Sequence, residues 1–303
     1  MPELPEVETV VRDLRPLLVG RTIETVWAGP AKLRRPWKRA WGGQVVGSTV
    51  AGVNRRGKWI LLSLSPRGEG RGEGVRLRGG RLKVKPPHPQ PLSPGGEGSV
   101  LLVHLGMTGQ FTVAPAADPL ATHTHFTFDL DDGNQLRYRD ARRFGSVEWF
   151  PPGTDVEAHL GEKLGPEPFG LPAQPFRDAV RASKRTLKAI LLDQSVVAGV
   201  GNIYADESLH RAKLHPETRG ADLTDADCDR LRKAIEAVLT RAIDSRGSTI
   251  RDYVGGSGLR GGFQTEFAVY GRGGEGCPKC GAEIEVLRVA GRSSHFCPAC
   301  QPR

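Results

Sequence analysis

Four cysteines near the C-terminus, Cys277, Cys280, Cys297 and Cys300, are spaced C-x2-C-x16-C-x2-C. Two such knuckles joined by a short β-hairpin suit a tetrahedral four-thiolate zinc site with no open position, a structural rather than a catalytic arrangement. Metal binding would supply the folding free energy for a tail too small to build its own core. The hairpin carries "GRSSHF", which would hold Arg292 at a firm tip, either as a surface charge or as a phosphate contact. At the other end, "MPELPEVETV" gathers two prolines and three carboxylates around the amino terminus. Pro5, Glu6 and Glu8 fit the first turns and positive dipole end of a helix. Glu3 stands before that helix and is not explained by it.

Two further segments mix residues oddly. In "HLGMTG" (104–109) and "DARRFGSV" (140–147), Met107 and Phe144 are flanked by glycines or arginines in a turn-like context, where a side chain would protrude. Core packing is the ordinary fate of such residues, but apolar wedges beside arginine also suit insertion into a DNA stack from which a nucleotide has been extruded. "THTH" places His123 and His125 on one face of a strand. No carboxylate or cysteine nearby completes a metal set, so hydrogen bonding to phosphate is the better functional reading. "GVGNIYADE" puts two close glycines and Asn202 ahead of a helix whose first N–H groups could bind phosphate, although the spacing is no Walker loop.

These residues need a scaffold to hold them. Val7, Val10, Val11, Leu14, Leu17 and Leu18 recur at helical spacing over Leu4–Leu18. From about 21 to 150 the pattern is of short β-rich runs, "KWILLSL", "HFTFDL", "QLRYRD" and "SVEWF", with "DDGN" as a hairpin turn. From about 155 to 245 it is helical, with Thr224 followed by Asp225 and Asp227 as a helix start. The reading is an α+β multidomain chain: an N-terminal β-sandwich with a flanking helix over 1–150, a helical domain over 151–267 and a cysteine-bearing module over 268–303. Residues 65–99 hold 9 Gly and 6 Pro in 35 residues and read as a disordered insert between two strands of a hairpin. Lengthening that connection from about four residues to 35 costs only roughly 2 kcal/mol of closure entropy, which a sheet tolerates.

The chain of 303 residues carries a formal charge of +9, which favours a polyanionic partner such as nucleic acid. The insert contributes 7 basic and 3 acidic residues, so the rest keeps +5 and the argument survives its removal. No apolar run approaches the length of a membrane span. With no secretion signal at the start, the clustered cysteines point to a metal in a reducing cytoplasm rather than to disulfides. Cys228, alone in a helical stretch, reads as a small buried hydrophobe.

In order along the chain, "MPELPEVETV", "RRGKW" (55–59), "HLGMTG", "RRFG", "LGPEP" (164–168), "DQSVVAGVGNIYADE", "GGFQTEFAVYGR" (261–272) and the four-cysteine finger resemble the formamidopyrimidine-DNA glycosylases. The likeness covers nearly the whole chain except the insert. "MPELPE" in place of "MPEGPE" favours this branch over the related endonuclease VIII-type enzymes, which act on oxidised pyrimidines. The resemblance implies a helix-two-turn-helix domain in the helical region and removal of the initiator methionine, so that the Pro2 nitrogen is the nucleophile. An α-amino group near pKa 7.7–8.0 is roughly a tenth neutral at pH 7, against less than about a thousandth for an ordinary lysine. A secondary amine also gives an iminium that is cationic without a proton, an electron sink for elimination.

By the same resemblance Glu3 is the acid/base on the opening sugar, Lys58 assists β-elimination and Arg292 assists δ-elimination. Met107, Arg142 and Phe144 would fill the gap left by the flipped base, and His123, Lys184 and Asn202 would contact the DNA backbone. "GGSGLRGGFQTEF" (255–267) resembles a loop covering an extruded oxidised purine. Ala141 stands where the family commonly has proline, and the insert is foreign to its pattern. The expected activity is base-excision repair of 8-oxoguanine and formamidopyrimidines in double-stranded DNA, with abasic-site lyase activity, one structural zinc, a monomeric state and a cytoplasmic, nucleoid-associated location. The rival readings are a catalytically dead binding module and the pyrimidine-directed sister enzyme.

Overall fold

The computed structural model describes residues 2–66, 98–249, 255–256 and 258–303. Met1, most of the proposed insert (67–97) and Ser257 of the proposed lesion-covering loop lie outside the described residues, and with them the expectations of methionine removal and of a disordered insert. The chain divides into two units, one built on Val7–His159 with Pro2, the other on Leu160–Arg251 and Arg260–Arg303 with Glu3–Glu6. No helix among the described residues is long and apolar enough to cross a membrane.

The first unit runs α1 (Leu4–Leu18, its first turn belonging to the second unit), β1 (Ile23–Ala28), α2 (Ala40–Val45), β2 (Thr49–Arg56), β3 (Trp59–Ser65), β4 (Ser99–His104), β5 (Gly109–Pro115), β6 (Thr124–Leu130), β7 (Asn134–Asp140) and β8 (Ser146–Phe150). Two antiparallel four-stranded sheets form among the described residues, β1-β6-β7-β5 and β2-β3-β4-β8. Their inner faces share one apolar cluster, with Val53, Ile60, Leu62 and Val103 from one sheet and Phe111, Phe128, Leu136 and Tyr138 from the other. Val7, Val10, Val11, Leu14 and Leu18 of α1 join it, whereas Leu17, counted with that stripe in the sequence, is 40% exposed. The stripe is therefore narrower than the apolar letters suggested. Strands β3 and β4 pair up to Leu64↔Ser99, directly at the ends of the insert, so the sheet keeps its register on either side of the added chain.

The second unit contains α3 (Val156–Gly161, begun in the first), α4 (Ala173–Arg181), α5 (Leu187–Leu192), α6 (Asn202–Ala212), α7 (Asp225–Asp244), β9 (Glu285–Val289) and β10 (Arg292–Phe296). Within the stretch read as helical from about 155 to 245, residues 175–199 break into α4 and α5 because Thr186 turns extended and caps α5, its hydroxyl accepting from Ala189 N. Thr224 and Asp227 form a reciprocal capping box at the start of α7. Phe176, Leu187, Ile190, Tyr204, Leu231, Ile235 and the fully buried Cys228 pack together as the helical core. The two strands of the cysteine module turn through Ala290 and Gly291, both at positive φ, the geometry a two-residue hairpin needs. The α+β architecture read from the sequence is the one observed.

Candidate functional site

Glu3 is almost fully buried, and its carboxylate caps α6: Ile203 N donates to Oε1 at 3.0 Å and Tyr204 N to Oε2 at 3.5 Å. Those are the helix-start N–H groups that the sequence offered to a phosphate. The chain's own carboxylate takes them instead, where the helix dipole favours negative charge. Gly201 makes the approach possible, since a Cβ there would lie 2.4 Å from the Glu3 carboxyl carbon. Gly201→Ala is therefore expected to push Glu3 off the helix and destabilise the fold by about 1–3 kcal/mol, the cost of leaving a buried charged group and its N–H partners unpaired. Denaturant unfolding would measure the loss, and an unchanged midpoint would mean that Glu3 does not need this seat.

Glu6 and Glu8 are not solvated dipole charges. Glu6 accepts from Glu3 N (2.8 Å), Tyr204 Oη (2.5 Å) and Ser248 N (2.8 Å) within the second unit. Glu8, in the first, accepts from Arg55 Nε (2.8 Å) and Arg12 Nε (2.9 Å). Burial opposes ionisation of Glu8, but the two guanidinium groups outweigh it and hold its carboxyl below the usual range. Both acids fasten the first two turns of α1. Pro2, which precedes Glu3, is buried in the first unit.

Lys58 sits in the two-residue turn between β2 and β3, not on a strand, with Gly57 supplying φ +55. It is 8% exposed. Beside it, His104 packs its ring 4.7 Å from that of Trp59, and Arg35 lies over the other ring system 5.5 Å from the Trp59 centroid while Nη1 binds Glu148 at 2.8 Å. Burial, together with the charges of Lys58, Arg34 and Arg35, pushes the His104 pKa down to about 4. Gly106 N donates to Nδ1 at 3.0 Å, so the neutral ring carries its proton on Nε2. Between about pH 6.5 and 4 only the unfolded chain takes up this proton, so stability present above pH 6.5 is lost as pH falls through that window, by about 2–3 kcal/mol. Denaturant unfolding at pH 7 and pH 4.5 should show a smaller acid-induced loss in His104→Gln than in the unmodified protein.

Asp140 lashes the two odd turns together. Fully buried, it accepts from Thr108 Oγ1 (2.6 Å), Arg142 N (3.2 Å) and Gly145 N (2.8 Å). A Cβ on Gly106 would lie 2.5 Å from Phe144 C, which measures how closely the 106–109 and 142–145 turns pack. These packed turns carry Met107, half-buried, and Phe144, 45% exposed, with the Arg142 guanidinium 4.8 Å over the Phe144 ring. An aromatic ring left in solvent at a rigid turn contributes nothing to the core.

The paired-histidine reading does not hold. His123 precedes β6 at φ 68 and is exposed, whereas His125 is buried and its Nε2 lies 2.9 Å from Asp140 O. The left-handed residue breaks the alternation that would put both rings on one face. In the second unit, Lys184 is exposed in the loop before α5. Asn202, the first residue of α6, donates from Nδ2 to Ser293 O at 3.1 Å and so touches β10, the strand that starts with the exposed Arg292. Asp206, one turn on, accepts from the buried Lys188, from Ser294 Oγ (2.8 Å) and from His295 N (2.9 Å). The structure thus brings Asn202 close to the Arg292 strand, the turn of Met107 close to the turn of Arg142 and Phe144, and Lys58 close to His104. Asp140, Asp206 and His104 escaped the sequence reading as positioning groups. All three lie inside the quoted motifs, but nothing in a lone acid's letter tells that it is buried.

The four cysteine Sγ atoms of 277, 280, 297 and 300 lie within 4.8 Å of one another. Four thiolates at about 2.3 Å from a common centre fit that spacing, so the set holds one structural zinc.

Three family models match the chain: the formamidopyrimidine-DNA glycosylase N-terminal domain at residues 1–147, the formamidopyrimidine-DNA glycosylase H2TH domain at 164–254, and the zinc finger found in FPG and IleRS at 274–303. A formamidopyrimidine-DNA glycosylase of Geobacillus kaustophilus is 42% identical over 99% of this chain and 100% of its own length. That of Laribacter hongkongensis is 40% identical over 99% and 100%. Among solved structures, a Lactococcus lactis Fpg complexed with DNA containing an abasic site is similar with TM-score 0.83 and 34% identity, covering 99% of this chain and 100% of that one. MutM in complex with DNA containing carbocyclic 8-oxo-G is similar with TM-score 0.82 and 34% identity over the whole of both chains.

Proposed function

The chain belongs to the formamidopyrimidine-DNA glycosylase family, and from that premise we propose that it excises oxidised purines from double-stranded DNA and then cleaves the strand at the resulting abasic site. The observation that carries the reading is the buried Pro2–Glu3 terminus, with the Glu3 carboxylate held on the first N–H groups of α6. Pro2, freed of Met1, attacks C1′ of the flipped nucleotide, and Glu3 moves the proton that opens the sugar. The base leaves, and the iminium formed on the proline nitrogen acidifies the neighbouring carbon. Lys58 serves β-elimination and Arg292 δ-elimination. Met107, Arg142 and Phe144 occupy the vacated stack, offsetting part of the few kcal/mol that extrusion costs. His123, Lys184 and Asn202 hold the phosphate backbone.

In this reading, 1–150 is the catalytic sandwich, 151–267 the helix-two-turn-helix domain and 268–303 the zinc finger, whose metal shapes the hairpin and takes no part in the reaction. The enzyme works as a monomer in the cytoplasm, on the nucleoid. Incubation with an 8-oxoguanine duplex and borohydride tests it: a covalent adduct and a strand cut with phosphate at both ends are expected. No adduct with any substrate would indicate a binding module, and an adduct formed only with oxidised pyrimidines would indicate the sister activity.

A further inference from the structure

His210 lies on α6, one turn beyond Asp206, and both it and Cys277 are buried, at 7% and 3% exposure. Its Nε2 is 3.5 Å from Cys277 Sγ. A zinc-bound cysteine is a thiolate and can only accept, so this contact is favourable only when the imidazole nitrogen carries a proton. We propose that His210 donates an N–H···S hydrogen bond to the Cys277 thiolate and is thereby a positioning residue of the zinc centre, one that retains the metal and tempers the electron-donating power of that sulfur.

Two further observations support it. Four thiolates around a divalent cation leave a net charge of about −2 in a small site, and N–H donors are the means of spreading it. Among the described residues Cys300 N already points to Cys297 Sγ at 3.4 Å, so the other knuckle has a donor of the same kind. The helix is also not free to swing. Asp206 holds Ser294 and His295, while Glu207 accepts from Ala268 N (2.9 Å), Val269 N (3.0 Å) and Tyr270 N (2.8 Å). Position 210 neighbours 206 at i+4 and 207 at i+3 on the helix surface, so the ring is aimed by a helix already bound to the chain on both sides of Cys277. The proposal rests on the four-thiolate zinc reading.

The test uses the full-length zinc protein, with metal content measured first. A protein that binds no zinc would overturn the thiolate reading and the proposal together. With one zinc bound, His210→Phe removes the N–H while keeping a flat ring, and His210→Gln keeps an N–H donor. In competition with a chromogenic chelator, the phenylalanine variant is expected to release zinc at least about tenfold faster than the unmodified protein. After cobalt substitution, its sulfur-to-metal charge-transfer bands should move to lower energy. The glutamine variant should recover most of both effects. Equal release rates and spectra for phenylalanine and histidine would overturn the proposal, as would a glutamine variant as labile as phenylalanine, since packing alone would then be at work. A measurement without any variant guards against misfolding: nitrogen-15 spectra of the zinc protein should show the His210 proton on Nε2, and a proton solely on Nδ1 would refute the bond.

Discussion

Pro2→Gln should lower the single-turnover rate of base release by at least about a thousandfold, some 4 kcal/mol of transition-state stabilisation, and reduce the borohydride-trapped adduct to background. Duplex affinity should change less than about threefold, because the groups proposed to hold DNA lie elsewhere along the chain. The size of the effect follows from the nitrogen. A secondary α-amine is far more often unprotonated at neutral pH than a lysine, and its iminium needs no added proton to act as an electron sink. No other amine of the chain combines those properties. Wild-type-like trapping by the variant, with an intact mass verifying the substitution, would remove the nucleophile from the account.

Glu3→Gln should divide the reaction in two. Glutamine matches the shape of glutamate and can still accept a helix N–H bond at Oε1, so the seat on Ile203 and Tyr204 is largely preserved. It cannot take up and return a proton. Release of 8-oxoguanine should therefore slow by about a hundred- to ten-thousandfold, the range general acid–base catalysis contributes. Cleavage of a pre-formed abasic site should fall less than about tenfold, because that sugar, a hemiacetal, opens to its aldehyde without the enzyme. Single-turnover assays on the two duplexes check the split, and equal losses on both would assign Glu3 a merely structural part.

The elements were more legible than the contacts that aim the residues. Val7, Val10, Val11, Leu14 and Leu18 announce α1 because helical periodicity is local, and the cysteine spacing announces the metal knuckles for the same reason. The partner of Glu3 was not readable, since Ile203 is two hundred positions away and the acid's burial depends on a glycine at 201. Glu6 and Glu8 misled in the same way: a helix start rich in carboxylates looks alike whether the acids face water or the buried groups Tyr204 and Arg55. His123 was misplaced because alternation assumes an extended backbone, which a residue at φ 68 interrupts. The roles given to Lys58, Arg142 and Arg292 came from resemblance. What geometry adds is how they are carried: Lys58 in a tight turn, Arg142 on a turn clamped by Asp140, and Arg292 at the head of a hairpin anchored through Asp206.

The most direct test is the location of the covalent bond. The borohydride-reduced complex with an 8-oxoguanine duplex, digested and sequenced by tandem mass spectrometry, should place the sugar remnant on the nitrogen of Pro2 in a peptide lacking Met1. A remnant on the side chain of Lys58 or on any other lysine would contradict it.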